Sequence, residues 1–107
     1  MSTTAINLTA RYPSLNLTQL EHLTDTGIAC LELTPGYRPG NARVLFDEAQ
    51  QRFRDRSDPS VNVKNYRGRL HMILNSCRDK VTRAWEHSPT VKPMVTNFLQ
   101  KCREYED

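Results

Sequence analysis

Apolar residues recur every three or four positions over most of this chain, which is the spacing of one face of an α-helix. Segments rich in proline, glycine or serine separate these periodic stretches. No segment shows a long, strict alternation of apolar and polar residues with β-branched bias, so we expect no β-sheet. The pattern predicts an all-α fold, a compact bundle of about four helices with short Pro/Gly-rich connectors.

The first predicted helix begins with a capping signal. Asn16 and Gln19 stand at the two positions of a capping box, in which each side chain bonds to the other residue's backbone. Leu15 precedes the cap, and Leu20 is placed to pack against it as a hydrophobic staple. The helix must end before Pro35-Gly36, because this pair favours a turn.

The other predicted helices are bounded by similar signals. Asn41 offers a cap for a second helix that runs to about Arg56. The third helix begins with Pro59 at its first position, is the longest, and ends at His87-Ser88-Pro89. Thr90 can cap the last helix.

Two glycines interrupt these helical patterns. Gly27 weakens the first helix by up to about 1 kcal/mol relative to alanine, so we expect it to kink or end that helix. Gly68 falls early in the third pattern, and we expect it to separate the first turn from the rest of the helix.

The length of 107 residues suits one small domain. Residues 1–13 carry little apolar periodicity, and we interpret them as a partly ordered N-terminal arm. Residues 14–107 are then a single helical domain, with enough apolar side chains to bury one core.

Composition argues against export and against membrane insertion. No apolar run approaches the roughly 20 residues that a membrane helix needs, and residues 1–11 lack the pattern of a secretory signal. The three cysteines are odd in number and widely spaced, which favours reduced thiols and a cytoplasmic location.

No motif indicates catalysis, a metal site or a cofactor. Cys-x-x-Cys, His-Glu-x-x-His and a Gly-rich phosphate loop are all absent, so we expect no metal, no cofactor and no enzyme. The simplest account puts Cys77 in the core and His71 away from it. An enzyme with a pocket assembled from separate helices stays open as a hypothesis, and it would use His22, His71 or Cys77.

Positive charge is concentrated in the middle of the chain. The formal net charge is +3, and arginine is the dominant cation. On the third predicted helix Arg69, Lys80 and Arg83 fall on one stripe, while Arg67 and Arg78 are expected elsewhere on its outer surface. An ordinary solvated face explains the same pattern.

These features favour a small non-enzymatic adaptor or accessory protein that binds a protein partner or itself. We expect it not to bind a membrane. Arginine and tyrosine are frequent in binding hot spots, and the Pro/Gly-bounded loop offers two exposed candidates. The alternative is nucleic-acid binding through an Arg-rich face on the second and third helices. The candidate partner-binding residues are Tyr37, Arg38, Arg52, Arg56, Arg67, Arg69, Lys80 and Arg83.

Overall fold

The computed structural model describes residues 9–34, 36, 40–55, 59–84 and 89–107. This part of the chain forms four α-helices and a short 3-10 helix and contains no β-strand, which confirms the predicted all-α bundle. The α-helices are α1 (Leu17–Glu32), α2 (Ala42–Arg54), α3 (Pro59–Ala84) and α4 (Lys92–Tyr105), and the 3-10 helix covers Pro89–Val91.

The longest helix, α3, is the centre of the bundle. It packs against α1, α2 and α4, because its apolar stripe is wide enough to face more than one neighbour. Its buried side chains meet those of α1 and α4 in one core. The fully buried aliphatic and aromatic residues of these helices are Leu20, Ile28, Leu31, Leu70, Leu74, Val81, Val95 and Phe98.

The predicted start of α1 is confirmed in detail. The Asn16 side chain accepts a hydrogen bond from the Gln19 N–H at 2.8 Å, and the Gln19 side chain accepts one from the Asn16 N–H at 2.9 Å. Leu15 and Leu20 are both buried beside this capping box. The capping box gives hydrogen-bond partners to backbone N–H groups at the start of the helix, and the two leucines are covered. Together these contacts fix where the helix begins.

The other helix starts differ in detail from the prediction. Asn41 occupies the cap position of α2, but its side chain makes no capping hydrogen bond. Thr90 is not the cap of α4, because residues 89–91 form a 3-10 turn and Val91 takes the cap position. Proline lies in the first turn of α4, where a missing N–H costs nothing.

An arginine joins α2 to α1. The guanidinium of Arg43 lies 2.6 Å from the Asp25 carboxylate and 2.9 Å from that of Glu32. Hydrogen bonds to Glu32 and Asp25 raise the pKa of Arg43, so the cation is kept at any physiological pH. This bidentate arrangement fixes the side of α1 on which α2 lies.

The N-terminal side of the bundle contributes to the core. Ala10 and Tyr12 are fully buried and belong to the same hydrophobic cluster as the helices. Residues 1–8 of the predicted arm lie outside the described part of the chain. The limits of the arm and of the single domain therefore stay predictions.

Neither helical glycine breaks its helix. α1 continues past Gly27 and α3 continues past Gly68, so the expected end of α1 and the expected break in α3 are wrong. A Cβ atom at residue 27 would lie 2.6 Å from Cζ of Phe98 and 3.3 Å from Cβ of Cys77. α1 therefore approaches α4 and α3 closely at Gly27, and the absent side chain permits that contact.

We expect Gly27→Ala and Gly68→Ala to change stability in opposite directions. Alanine at 27 gains helix propensity but collides with the buried Phe98 ring, and overpacking of a core costs about 1–3 kcal/mol. A Cβ at 68 meets no atom within 4 Å, so Gly68→Ala should stabilise the fold by about 0.5–1 kcal/mol. Urea denaturation measures both, and a stabilising Gly27→Ala would contradict the close approach.

Candidate functional site

A groove of about 580 Å³ lies between α2 and α3. There the half-buried ring of Phe53 stacks on the buried ring of Tyr66, with centroids 4.5 Å apart. Gly68 also lines the groove, and a Cβ atom there would meet no atom within 4 Å. The lining residues are Arg11, Ala49, Arg52, Phe53, Lys64, Asn65, Tyr66, Gly68, Arg69 and Met72.

Positive charge dominates this groove. Arg11, Arg52, Lys64 and Arg69 line it, and no carboxylate is among its described lining residues. Within the part of the chain that the structure describes, the side chains of these four residues form no ion pair. Cations of one sign held around a concave surface focus the field into it and attract a negatively charged ligand.

The tyrosine of the groove is anchored from behind. The Tyr66 hydroxyl donates a hydrogen bond to the Glu21 carboxylate on α1. Burial and this carboxylate raise the pKa of Tyr66, so the phenol stays neutral at physiological pH. The ring is therefore held in place and uncharged, and the Glu21 carboxylate that holds it also accepts a hydrogen bond from the Gln50 amide of α2 at 3.5 Å.

The predicted Arg-rich face is only partly assembled. Arg52 on α2 and Arg69 on α3 line the same groove. Arg67 is half-buried and donates a hydrogen bond to the Tyr12 carbonyl oxygen at 3.2 Å, so it supports the N-terminal segment. Tyr37, Arg38 and Arg56 lie outside the described residues.

The distal end of the predicted stripe is separate from the groove. Lys80 is half-buried, and its Nζ lies 3.8 Å from where a Cβ of Gly40 would be. Arg83 is exposed and forms an ion pair with Asp79 one helical turn away. Neither residue lines the α2–α3 groove, so the stripe is not one continuous unneutralised surface.

Two cations of the groove are not among the residues that the sequence singled out. Lys64, Gly68 and Met72 follow one another at intervals of four on α3 and line the groove together, so helical spacing carried a signal for Lys64. Arg11 comes from the N-terminal segment and reaches the groove only through tertiary packing. No local pattern indicates its position.

A buried polar network holds that segment against α3. The guanidinium of Arg78 donates to the Tyr12 hydroxyl at 2.6 Å, and this hydroxyl donates to the Asn75 side-chain oxygen at 3.0 Å. The Asn75 amide donates to the Ala10 carbonyl at 3.1 Å, and the Glu106 carboxylate lies 2.9 Å from Arg78. The expected surface position of Arg78 is wrong, because the neutral hydroxyl and the carboxylate provide buried partners for its charge.

Burial raises the pKa of Tyr12 to about 12, against the opposing effect of Arg78. The hydroxyl therefore keeps its proton and serves as donor and acceptor at once. Backbone bonds add to the anchoring: the Asp107 N–H donates to the Arg11 carbonyl at 2.9 Å, and the Arg11 N–H donates to the Asp107 carboxylate at 3.0 Å. The network thus places Arg11 at the edge of the groove.

The groups that a catalytic pocket would need are dispersed. Cys77 is fully buried as predicted, and burial raises the pKa of its thiol to about 11. His71 is also buried, which contradicts the expectation that it lies away from the core, because its ring packs 5.7 Å from that of Tyr12. His22 is exposed in a different groove between α1 and α4. Neither this groove nor the α2–α3 groove contains all three side chains.

The described residues form neither a cluster of metal-binding side chains nor a membrane-spanning helix. No three or more His, Cys, Asp or Glu side chains of that part group so as to hold a metal ion. None of its helices is both long and apolar enough to span a bilayer. Comparisons with protein-family models, curated protein sequences and solved structures find no match to this chain. The functional assignment therefore rests on the geometry of the chain itself.

We expect Tyr12→Phe to destabilise the fold by about 1–3 kcal/mol, because it leaves buried groups of Asn75 and Arg78 without their hydroxyl partner. Tyr105→Phe is the matched control, since the Tyr105 side chain is exposed and its hydroxyl has no hydrogen bond in the described structure. Its effect should stay within about 0.5 kcal/mol. Equal effects of the two changes in urea denaturation would contradict the network's role.

Stability should fall on acidification because of His71. Burial, with Arg67 and Arg11 nearby, lowers the pKa of His71, while Asp107 opposes this effect. Below about pH 6.5 the unfolded chain binds a proton that the folded chain still excludes, so the free energy of unfolding decreases as the pH falls.

His71→Phe removes this titration, and its unfolding free energy should lose less between about pH 7.5 and pH 5 than that of the wild type. The buried Nε2 of His71 has no hydrogen-bond partner in the described structure, so an apolar ring suits the site. His71→Leu is a second variant in case the larger ring does not fit. Parallel pH profiles of wild type and variants would contradict the assignment.

Proposed function

We propose that this protein is a non-enzymatic interaction protein whose α2–α3 groove binds an acidic segment of a partner protein that also carries apolar side chains. The observation that carries this proposal is the combination of four unneutralised cations with an aromatic and thioether surface in one groove. The charged side chains complement carboxylates, and the apolar surface gives the partner something to bury.

The apolar part of the groove favours a protein partner. The half-buried Phe53 ring, stacked on the buried Tyr66 ring, offers an aromatic surface, and Met72 is a flexible side chain that adapts to different ligands. Aromatic residues, methionine and arginine are the types enriched where proteins bind one another. A simple anion would use the cations alone, whereas an acidic peptide with apolar anchors uses both halves of the groove.

Nucleic-acid binding is the second candidate, because the same four cations attract phosphates and an aromatic ring can stack on a base. It has less support. Of the other basic residues predicted for this face, Arg67 is engaged with a carbonyl and Arg83 with Asp79. A short cationic groove contacts few phosphates, so such binding would be weak at physiological salt.

The absence of catalysis and the cytoplasmic location belong to this proposal. The separation of His22, His71 and Cys77 supports a role in binding rather than in nucleophilic catalysis. All three cysteines are free and buried, which suits a reducing compartment.

A peptide library displayed on phage and selected on the immobilised protein tests the proposal. We expect the enriched peptides to combine Asp or Glu with aromatic or large aliphatic residues. The affinity of the tightest one, made as a synthetic peptide, should fall about tenfold in the double variant Arg11→Gln/Lys64→Gln, which removes two cations that line the groove.

The double variant Arg83→Gln/Arg103→Gln is the matched control, because it removes the same net charge at two exposed positions outside the groove. It should bind the peptide within about twofold of the wild type. Equal losses in both variants, or selected peptides without acidic residues, would overturn the proposal. The proposal would also be overturned if no peptide is enriched and a fluorescent oligonucleotide binds in a salt-sensitive way. That result would favour nucleic-acid binding.

A further inference from the structure

A smaller depression of about 100 Å³ lies beside the groove, also between α2 and α3. We call it the Leu45–Met72 patch. It shares Ala49, Arg52, Arg69 and Met72 with the groove, but it contains further residues of its own. Its full lining is Leu45, Glu48, Ala49, Arg52, Arg69, Met72 and Ile73.

The large apolar side chains of the patch are unusually exposed to solvent. Met72 is 72% exposed, the highest value among the large apolar residues of the described chain, and Leu45 is 49% exposed. Val44, next to Leu45 on α2, is 53% exposed. Single exposed apolar residues need no explanation. Two that line one depression form an apolar surface whose burial by a partner lowers the free energy.

Unlike the groove, the patch carries both signs of charge. Glu48 lies on α2 and Arg69 lies on α3, and both are exposed. Neither side chain forms an ion pair or hydrogen bond in the described part of the chain. An unpaired acid on α2 and an unpaired base on α3 therefore line the same depression as the two apolar side chains, and the exposed, unpaired Arg52 of α2 adds a second cation.

We propose that the Leu45–Met72 patch is the contact between two copies of this chain in a two-fold symmetric dimer. A two-fold interface sets one patch against an identical patch, so the patch must contain both members of every pair it forms. This patch does, because Glu48 of each copy complements Arg69 of the other.

The symmetry also covers the apolar side chains. A two-fold axis between Leu45 and Met72 lays α2 of one copy over α3 of the other, so that these residues pack together at the centre. The two Glu48–Arg69 pairs then flank the contact on either side. Leu45, Glu48 and Ile73 belong to the patch alone, whereas Arg69 and Met72 also line the groove, so a dimer formed through the patch would cover part of the groove.

Charge reversal with subsequent mixing tests the dimer. Glu48→Arg sets two arginines against each other at both pairs, and Arg69→Glu does the same with two glutamates, so each variant alone should sediment as a monomer. In an equal mixture, each substituted residue faces its opposite charge in the other variant. The mixture should therefore form a heterodimer in sedimentation equilibrium experiments.

Met72→Ser tests the apolar contact and should weaken dimerisation about tenfold. Leu33→Ser is the matched control, because Leu33 is 57% exposed and does not line the patch. Thermal melts of all variants check that the fold is retained. The altered side chains are exposed, so we expect little change.

A wild-type chain that stays monomeric throughout a concentration series would overturn the proposal, as would variants whose mixture fails to dimerise. A dimer that survives both charge reversals would overturn it too. If Arg11→Gln/Lys64→Gln dissociates the dimer while Met72→Ser does not, then the groove rather than the patch holds the second copy. Peptide binding to the Glu48→Arg variant reports on the groove separately.

Discussion

The buried guanidinium of Arg78 is the interaction on which the rest of the structure depends. A charge in the interior must be paired and hydrogen-bonded, and Arg78 meets this demand with the Tyr12 hydroxyl and the Glu106 carboxylate. These partners come from opposite ends of the described chain. Satisfying one buried charge therefore fixes both ends on α3, and this carries Arg11 to the edge of the groove.

The described arginines divide into residues that hold the fold and residues that face a ligand. Arg43 connects α2 to α1 through two carboxylates, and Arg78 connects the chain ends to α3. Arg52 and Arg69 have no such partners in the described structure, and both helices present them to one groove. The modest net charge of +3 thus hides a local concentration of positive charge, because Arg43 and Arg78 have carboxylate partners in the described structure and the groove arginines have none.

The fold could be predicted from sequence where the signals are local, and the site only in part. Helical spacing and the Asn16 capping box depend on residues three or four apart, and they gave the bundle and the start of α1 correctly. The Tyr12–Asn75 bond joins residues 63 positions apart, so no periodicity reveals it. Arg78 was misplaced for the same reason, since its helical position fits a surface residue until the chain ends cover it.

Amide chemical-shift mapping by NMR tests the central claim most directly, namely that the anchored α2–α3 groove is the binding surface. The titrant is the tightest peptide from the library selection. We expect the shifts to concentrate at residue 11, around Phe53 on α2 and between Lys64 and Met72 on α3. Shifts concentrated around His22 and Asn97, in the groove between α1 and α4, would contradict it.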